Sequence, residues 1–322
     1  MRDGNIVKTV RSYQTRIKLI EAFGAISFVL LAPALMLIGI LEAVNSESIG
    51  LIEIIIAIAL LVCSYLLSKI RVKLEKTLKN FIGEYITKDV LAEKLDIEKY
   101  EPTGMADRQS IKASGIMPGY DRIEGSDYIK AAYKGQEIIY CDIKMEQERT
   151  TRDDDGHEST TYVVVFQGPF VQIPLGKKLN GHVKILERRN KRKKRGILSD
   201  LFDSAVDKMG IKRDTVVELE NEAFNNQFEI KTNDEELAFY ILTPQFMENI
   251  IKADEYAAGY TNISFKDETA YIAINNGKDA FEIKKTMYNK KRLEDARAKM
   301  RRDMDIILAI IDEVLEKEKL FK

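Results

Sequence analysis

Two apolar runs near the N-terminus constrain this chain more than any other feature. Ala22 to Leu41 and Ile49 to Leu67 are separated only by the polar link Glu42-Ala43-Val44-Asn45-Ser46-Glu47-Ser48. At about 1.5 Å rise per residue, each run as a helix covers roughly the 30 Å hydrocarbon core of a bilayer. The expectation is a transmembrane helical hairpin over 22–67, preceded by a basic segment over 1–21. A cleaved signal peptide fits poorly: the first run is longer than a usual signal core, no small-x-small cleavage pattern follows it, and a second apolar run comes at once. A buried hairpin in a soluble protein is the competing reading, and the run lengths weigh against it.

The flanking charge sets the orientation. Arg2, Lys8, Arg11, Arg16 and Lys18 precede the first run, Lys69, Arg71, Lys73, Lys76 and Lys79 follow the second, and the link carries acids only. By the positive-inside rule both termini face the cytoplasm, which places everything after Leu67 on the cytoplasmic side of an inner or plasma membrane. The two cysteines, Cys63 and Cys141, lack the pattern of a disulfide scaffold, in keeping with a reducing compartment. With a net charge of -1 there is no global field that would recruit nucleic acid.

Beyond the membrane, Ile70, Leu74, Leu78, Phe81 and Tyr85 keep helical spacing and predict a helical stalk over 68–100, with a further helical piece from Lys88 to Leu95 and a break at Pro102-Thr103-Gly104. Residues 101–284 read as a cytosolic α+β domain, divisible into 101–195 and 196–284. Alternating runs predict strands at Ser126–Tyr133, Glu137–Met145, Thr160–Gln167, Phe170–Leu175 and His182–Glu187, with turns at Lys134-Gly135-Gln136, Gly168-Pro169 and Asn180-Gly181. An amphipathic helix over Ile197–Met209 follows, then strands near Thr215–Leu219 and Phe228–Lys231. A helix capped by Thr243 opens at Pro244 and runs to about Lys252, and a hairpin joins Tyr260–Phe265 to Ala270–Asn275. Residues 285–322 form a long charged helix. Its seam of Leu293, Met300, Met304, Ile307, Ile311, Val314 and Phe321 suits either packing on its own domain or the stalk, or a short coiled coil between copies. The fold class expected is therefore α+β: an N-terminal two-helix transmembrane hairpin, a mainly antiparallel-sheet cytosolic domain and a long C-terminal helix.

Several separated tracts share an order with one known group. They are Gly119-Tyr120-Asp121-Arg122-Ile123-Glu124-Gly125-Ser126-Asp127-Tyr128-Ile129 with Tyr133-Lys134-Gly135, then Phe166-Gln167-Gly168-Pro169-Phe170, then Glu220 to Phe228 around Phe224-Asn225, and Tyr240-Ile241-Leu242-Thr243-Pro244-Gln245-Phe246-Met247. Through them the chain resembles the bacterial membrane proteins of domain-of-unknown-function family 3137, from the stalk to Phe281. The resemblance implies paired membrane helices and a cytosolic domain with no assigned activity, so it carries over no catalytic residue. Ala131-Ala132 departs from the glycine-containing tract expected there, and the charged C-terminal helix lies outside the resemblance.

Searching for chemistry yields no catalytic, cofactor-binding or metal-binding set. Thr151 to Tyr162 has the central glycine of a calcium loop but neither its first acid nor its final Glu. His157, His182, Cys63 and Cys141 show no zinc spacing, and no phosphate-binding glycine motif is present. A Cys141–His182 nucleophile pair across neighbouring strands is the one enzymatic arrangement to weigh against a buried structural cysteine. The basic run Arg188, Arg189, Lys191, Arg192, Lys193, Lys194 and Arg195 is a candidate contact for anionic lipid, set against a solvated loop. Nucleic acid fits less well because no aromatic side chains interleave with these charges. The function expected is a membrane-anchored, non-enzymatic domain that binds or scaffolds a protein partner, with self-association through the C-terminal helix as a further expectation. A hydrolase-like enzyme with an unrecognised site is the alternative.

Overall fold

The computed structural model describes residues 2–42, 47–152, 158–188, 214–257, 259–283 and 286–318, apart from the side chains of 27, 28, 30–54, 256, 317 and 318. The chain divides into two compact units, Met1–Ile86 with Ile283–Ala296, and Thr87–Glu282 with Arg297–Lys322.

The first unit is helical. Helix α1 (Arg2–Glu42) and helix α2 (Glu47–Ile82) pack along each other, and Arg71 pairs with Glu21 at 3.7 Å where the second helix runs back beside the first. At its N-terminal end Ile6, Val7 and Val10 are buried. There Gln14 Oε1 accepts the Met287 amide at 2.8 Å, Lys18 donates to Thr286 Oγ1 at 2.9 Å, and Arg11 lies over the Tyr288 ring. Among the described residues one helical stretch, Ile55–Leu91, is long and apolar enough to cross a membrane. The expected pair of crossing helices thus reduces to one, since most of the run Ala22 to Leu41 falls among the side chains outside the description.

The second unit is built on one antiparallel sheet. Its strands are β1 (Asp96–Glu101), β2 (Arg122–Tyr133), β3 (Gln136–Arg152), β4 (Glu158–Pro174), β5 (His182–Glu187), β6 (Thr215–Val217), β7 (Phe228–Thr232), β8 (Tyr260–Lys266) and β9 (Thr269–Asn275), in the order β1-β2-β3-β4-β9-β8-β5-β7-β6. Short helices connect or cap it: α3 (Lys88–Leu91) after a π-helical turn at Gly83–Thr87, α4 (Arg108–Ala113), α5 (Glu222–Gln227), α6 (Glu235–Ile241) and α7 (Pro244–Ala257). Helix α8 (Lys290–Glu318) ends the described chain. Asp107, Asn221 and Asp234 cap α4, α5 and α6 by accepting amides of the first turn, as short polar side chains do at helix starts. Thr243 Oγ1 does the same for Phe246 at 3.5 Å.

On one face of the sheet the core joins Ile111, Ile116, Cys141, Ile143, Met145, Phe166 and Phe170. Both faces of β3 are covered, since Tyr140, Cys141, Asp142 and Ile143 are all buried in succession. From the C-terminal helix, Met300, Met304, Ile307, Ile311 and Val314 are buried, so its predicted seam packs within the chain.

Three local expectations need correction. Gly168-Pro169 is not a turn but the middle of β4, which runs unbroken from Glu158 to Pro174. Pro169 sits one residue before the β4–β9 pairing opens at Phe170 and Ala273. The helical piece expected over Lys88–Leu95 stops at Leu91, and Asp96–Glu101 in the predicted stalk is an edge strand. The amphipathic helix predicted over Ile197–Met209 lies outside the described residues.

Candidate functional site

Strand β2 is irregular at one point. Its register with β3 shifts between Ser126 and Ile129, and Asp127 within the shift has φ +56° while its amide bonds Pro102 O at 3.1 Å. Such a bulge turns a side chain away from the regular alternation. Ser126, beside it, lies opposite Asp142 on β3. Following β9, the turn at Asn276 to Phe281 presents Asp279. Its Oδ1 accepts the Phe281 amide at 3.2 Å and its Oδ2 accepts the Ser126 hydroxyl at 3.1 Å.

The three carboxylates meet. One oxygen from each of Asp127, Asp142 and Asp279 lies within 4.8 Å of the others; Asp127 and Asp142 are buried at 3% exposure and Asp279 is half-buried. Each is held. Tyr100 donates to Asp127 Oδ1 at 2.6 Å, while Tyr140 and the Ala280 amide donate to Asp142 Oδ2 at 3.0 and 3.1 Å. Asp142 Oδ1 is buried with no hydrogen-bond partner among the described residues. Burial, then the charges of Asp279 and Asp127, push the Asp142 carboxyl well above the usual carboxylate range. Burial and the nearby Asp142 likewise raise the Tyr140 phenol. Chemically this is an all-oxygen acidic cluster, able to hold a cation or to share protons.

Sequence reasoning missed this group, because positions 127, 142 and 279 have no common spacing and lie on three elements. The signals available were the Gly125-Ser126-Asp127 tract and the acid within the otherwise apolar run Ile139 to Ile143.

The residues that were singled out go elsewhere. Cys141 points into the apolar core, its Sγ accepting the Ala106 amide at 3.4 Å, and burial pushes its thiol up to about 12. His182 Nε2 instead lies 2.8 Å from Asp214 Oδ1, so the cysteine and the histidine answer to different partners. Arg188 is exposed but engaged, Nε donating to the carbonyls of Asn225 and Phe228 at 3.0 and 3.3 Å. It borders an open pocket with Glu218, Glu222, Asn225 and Asn226. Arg189, Lys191, Arg192, Lys193, Lys194 and Arg195 lie outside the described residues.

Helices and one antiparallel sheet with a long C-terminal helix define an α+β protein. Residues 164–315 match the family described as "Protein of unknown function (DUF3137)", the family its motifs resemble. This match starts after the Gly119 to Gly135 tract and takes in most of the C-terminal helix, which the motifs alone had left outside. Comparison with curated proteins gives no match. Among solved structures, the mycobacterial trehalose monomycolate transport factor A, TtfA, aligns over 71% of this chain and 96% of its own at 8% identity and a TM-score of 0.35, a likeness too distant to carry any argument about this one.

Proposed function

We propose that the protein is anchored in the inner membrane by a helical hairpin and presents its sheet unit on the cytoplasmic side to bind or scaffold a protein partner. One observation carries the anchoring: in the most apolar 18-residue window of Ile55–Leu91 only 6% of the residues are buried. A core helix of a soluble protein hides its apolar side chains. Here Ile55, Ile58, Leu61, Val62 and Leu66 are all at least half exposed, and a lipid environment is the setting that such a surface fits. The second crossing would be Ala22 to Leu41, which α1 contains and which packs beside α2. Flanking basic residues on both sides of the hairpin support the orientation.

Binding in preference to catalysis is supported by the commitment of Cys141 to the core and of His182 to Asp214. Contact of the basic run with anionic lipid belongs to the same proposal, with the qualification that Arg188 already serves two backbone carbonyls. Self-association through α8 would need a face other than the buried seam.

Labelling with a membrane-impermeant maleimide tests the topology. In a Cys63→Ser background, Ser46→Cys should label in intact cells and Glu158→Cys only after lysis. The reverse pattern would overturn the orientation, and release of the chain by alkaline carbonate would overturn the anchor.

A further inference from the structure

We propose that Asp127, Asp142 and Asp279 form a binding site for a hard divalent cation of the calcium type. Three acids close together are not a site by that fact alone. The independent observation is Asp142 Oδ1, an oxygen on a side chain 3% exposed, with no hydrogen-bond partner among the described residues, on the carboxylate that the other two acids face. A buried acceptor without a donor costs about 1–3 kcal/mol, more when charged, and a cation at the centre of the three supplies the missing partner.

Donor chemistry selects the ion. Every group offered is oxygen: three carboxylates, with the hydroxyls of Ser126, Tyr100 and Tyr140 on their flanks. The neighbouring thiol of Cys141 belongs to the opposite, apolar face of β3. Oxygen-only sets favour calcium, magnesium or manganese over zinc and copper. Ligands at about 2.3–2.6 Å span up to roughly 5 Å across a calcium ion, so oxygens within 4.8 Å of one another fit its flexible coordination sphere, whereas magnesium demands a near-ideal octahedron at about 2.0–2.1 Å.

The three carboxylates are fixed in a way that suits a cation. Tyr100, Tyr140 and the amides of Ala280 and Phe281 each bind one carboxylate oxygen and so fix the three groups against their mutual repulsion. Asp279, half-buried, is the side from which an ion would enter and where water would complete its coordination. Binding would clamp the β2 bulge, β3 and the turn after β9 at one point.

The test uses the full chain in detergent, stripped with a chelator and dialysed. Calcium at about a hundredfold its dissociation constant should raise the thermal midpoint of the wild type by about 5–10 °C over potassium at equal ionic strength, with magnesium giving less. Terbium, a calcium substitute, should luminesce on excitation of tyrosine, since the chain has no tryptophan, and calcium should quench that signal by displacement. Asp279→Asn, at the accessible end, should abolish both effects while leaving the cation-free midpoint unchanged or higher, because a repelling charge is removed. Asp142→Asn should behave alike if it folds. No calcium response in the wild type would overturn the site and leave a group of acids that share protons. A response that persists undiminished in folded Asp279→Asn would overturn its location.

Discussion

Buried acids are held in contrasting ways at two places among the described residues. At Asp127, Asp142 and Asp279 the charges are alike. On β5 they are opposite: Lys184 donates to Asp214 Oδ2 at 2.8 Å and His182 Nε2 lies 2.8 Å from Oδ1, with the Lys184 and Asp214 side chains 6% and 13% exposed. Burial alone would raise the Asp214 carboxyl, but the hydrogen bond and charge of Lys184, followed by those of His182, outweigh it and hold the carboxyl below its ordinary value. A depressed carboxyl stabilises the fold above its unfolded-state pKa, near 3.9, and the contribution is lost as pH falls through the folded-state value. Asp214→Asn should therefore cost about 2–4 kcal/mol at pH 7 in urea unfolding, because Lys184 stays buried without its counter-charge. That difference from the wild type should shrink below about pH 4. Positions 182 and 184 share a strand face, which alternation shows. Their partner thirty residues on could not be read, since only the folded chain brings it near.

Among the elements, β4 is where pattern reading failed most instructively. Glycine followed by proline ordinarily marks a turn, yet Gly168 has φ +147° inside a continuous strand, in a backbone conformation that side chains rarely adopt. A Cβ there would meet Ile274 O at 2.2 Å and Asn276 Oδ1 at 2.8 Å, so the glycine lets β9 and the turn that carries Asp279 come close. Gly168→Ala should cost about 2–4 kcal/mol in chemical unfolding, through backbone strain together with overpacking. A change within 0.5 kcal/mol would mean that the close approach is not required. Strand β1 escaped notice for a different reason. Asp-Ile-Glu-Lys-Tyr-Glu is mostly charged, which suits a sheet edge that must not recruit another strand but leaves little alternation to recognise. The predicted limits of His182–Glu187 agree with the strand to the residue, although it is buried on both faces.

At the scale of the whole molecule, the C-terminal helix is part of the core and not an appendage. Ile311 is 1% exposed and Val314 is fully buried, within the same compact unit as the sheet. Ile311→Ala should destabilise that unit by about 2–5 kcal/mol, as a cavity in a packed interior does, and unfolding followed by far-ultraviolet dichroism should remain a single transition. Loss of helix signal alone, ahead of the sheet, would contradict this. The sequence by itself determined the elements whose physics is local: apolar runs of membrane length, the charges at their flanks, strand alternation, helix caps and the periodicity of the last helix. Only the tertiary structure decided the order of nine strands, which side of the last helix is buried, and the meeting of Asp127, Asp142 and Asp279. These rest on contacts between distant positions, and hydrophobic patterning specifies which face is buried without specifying what it is buried against.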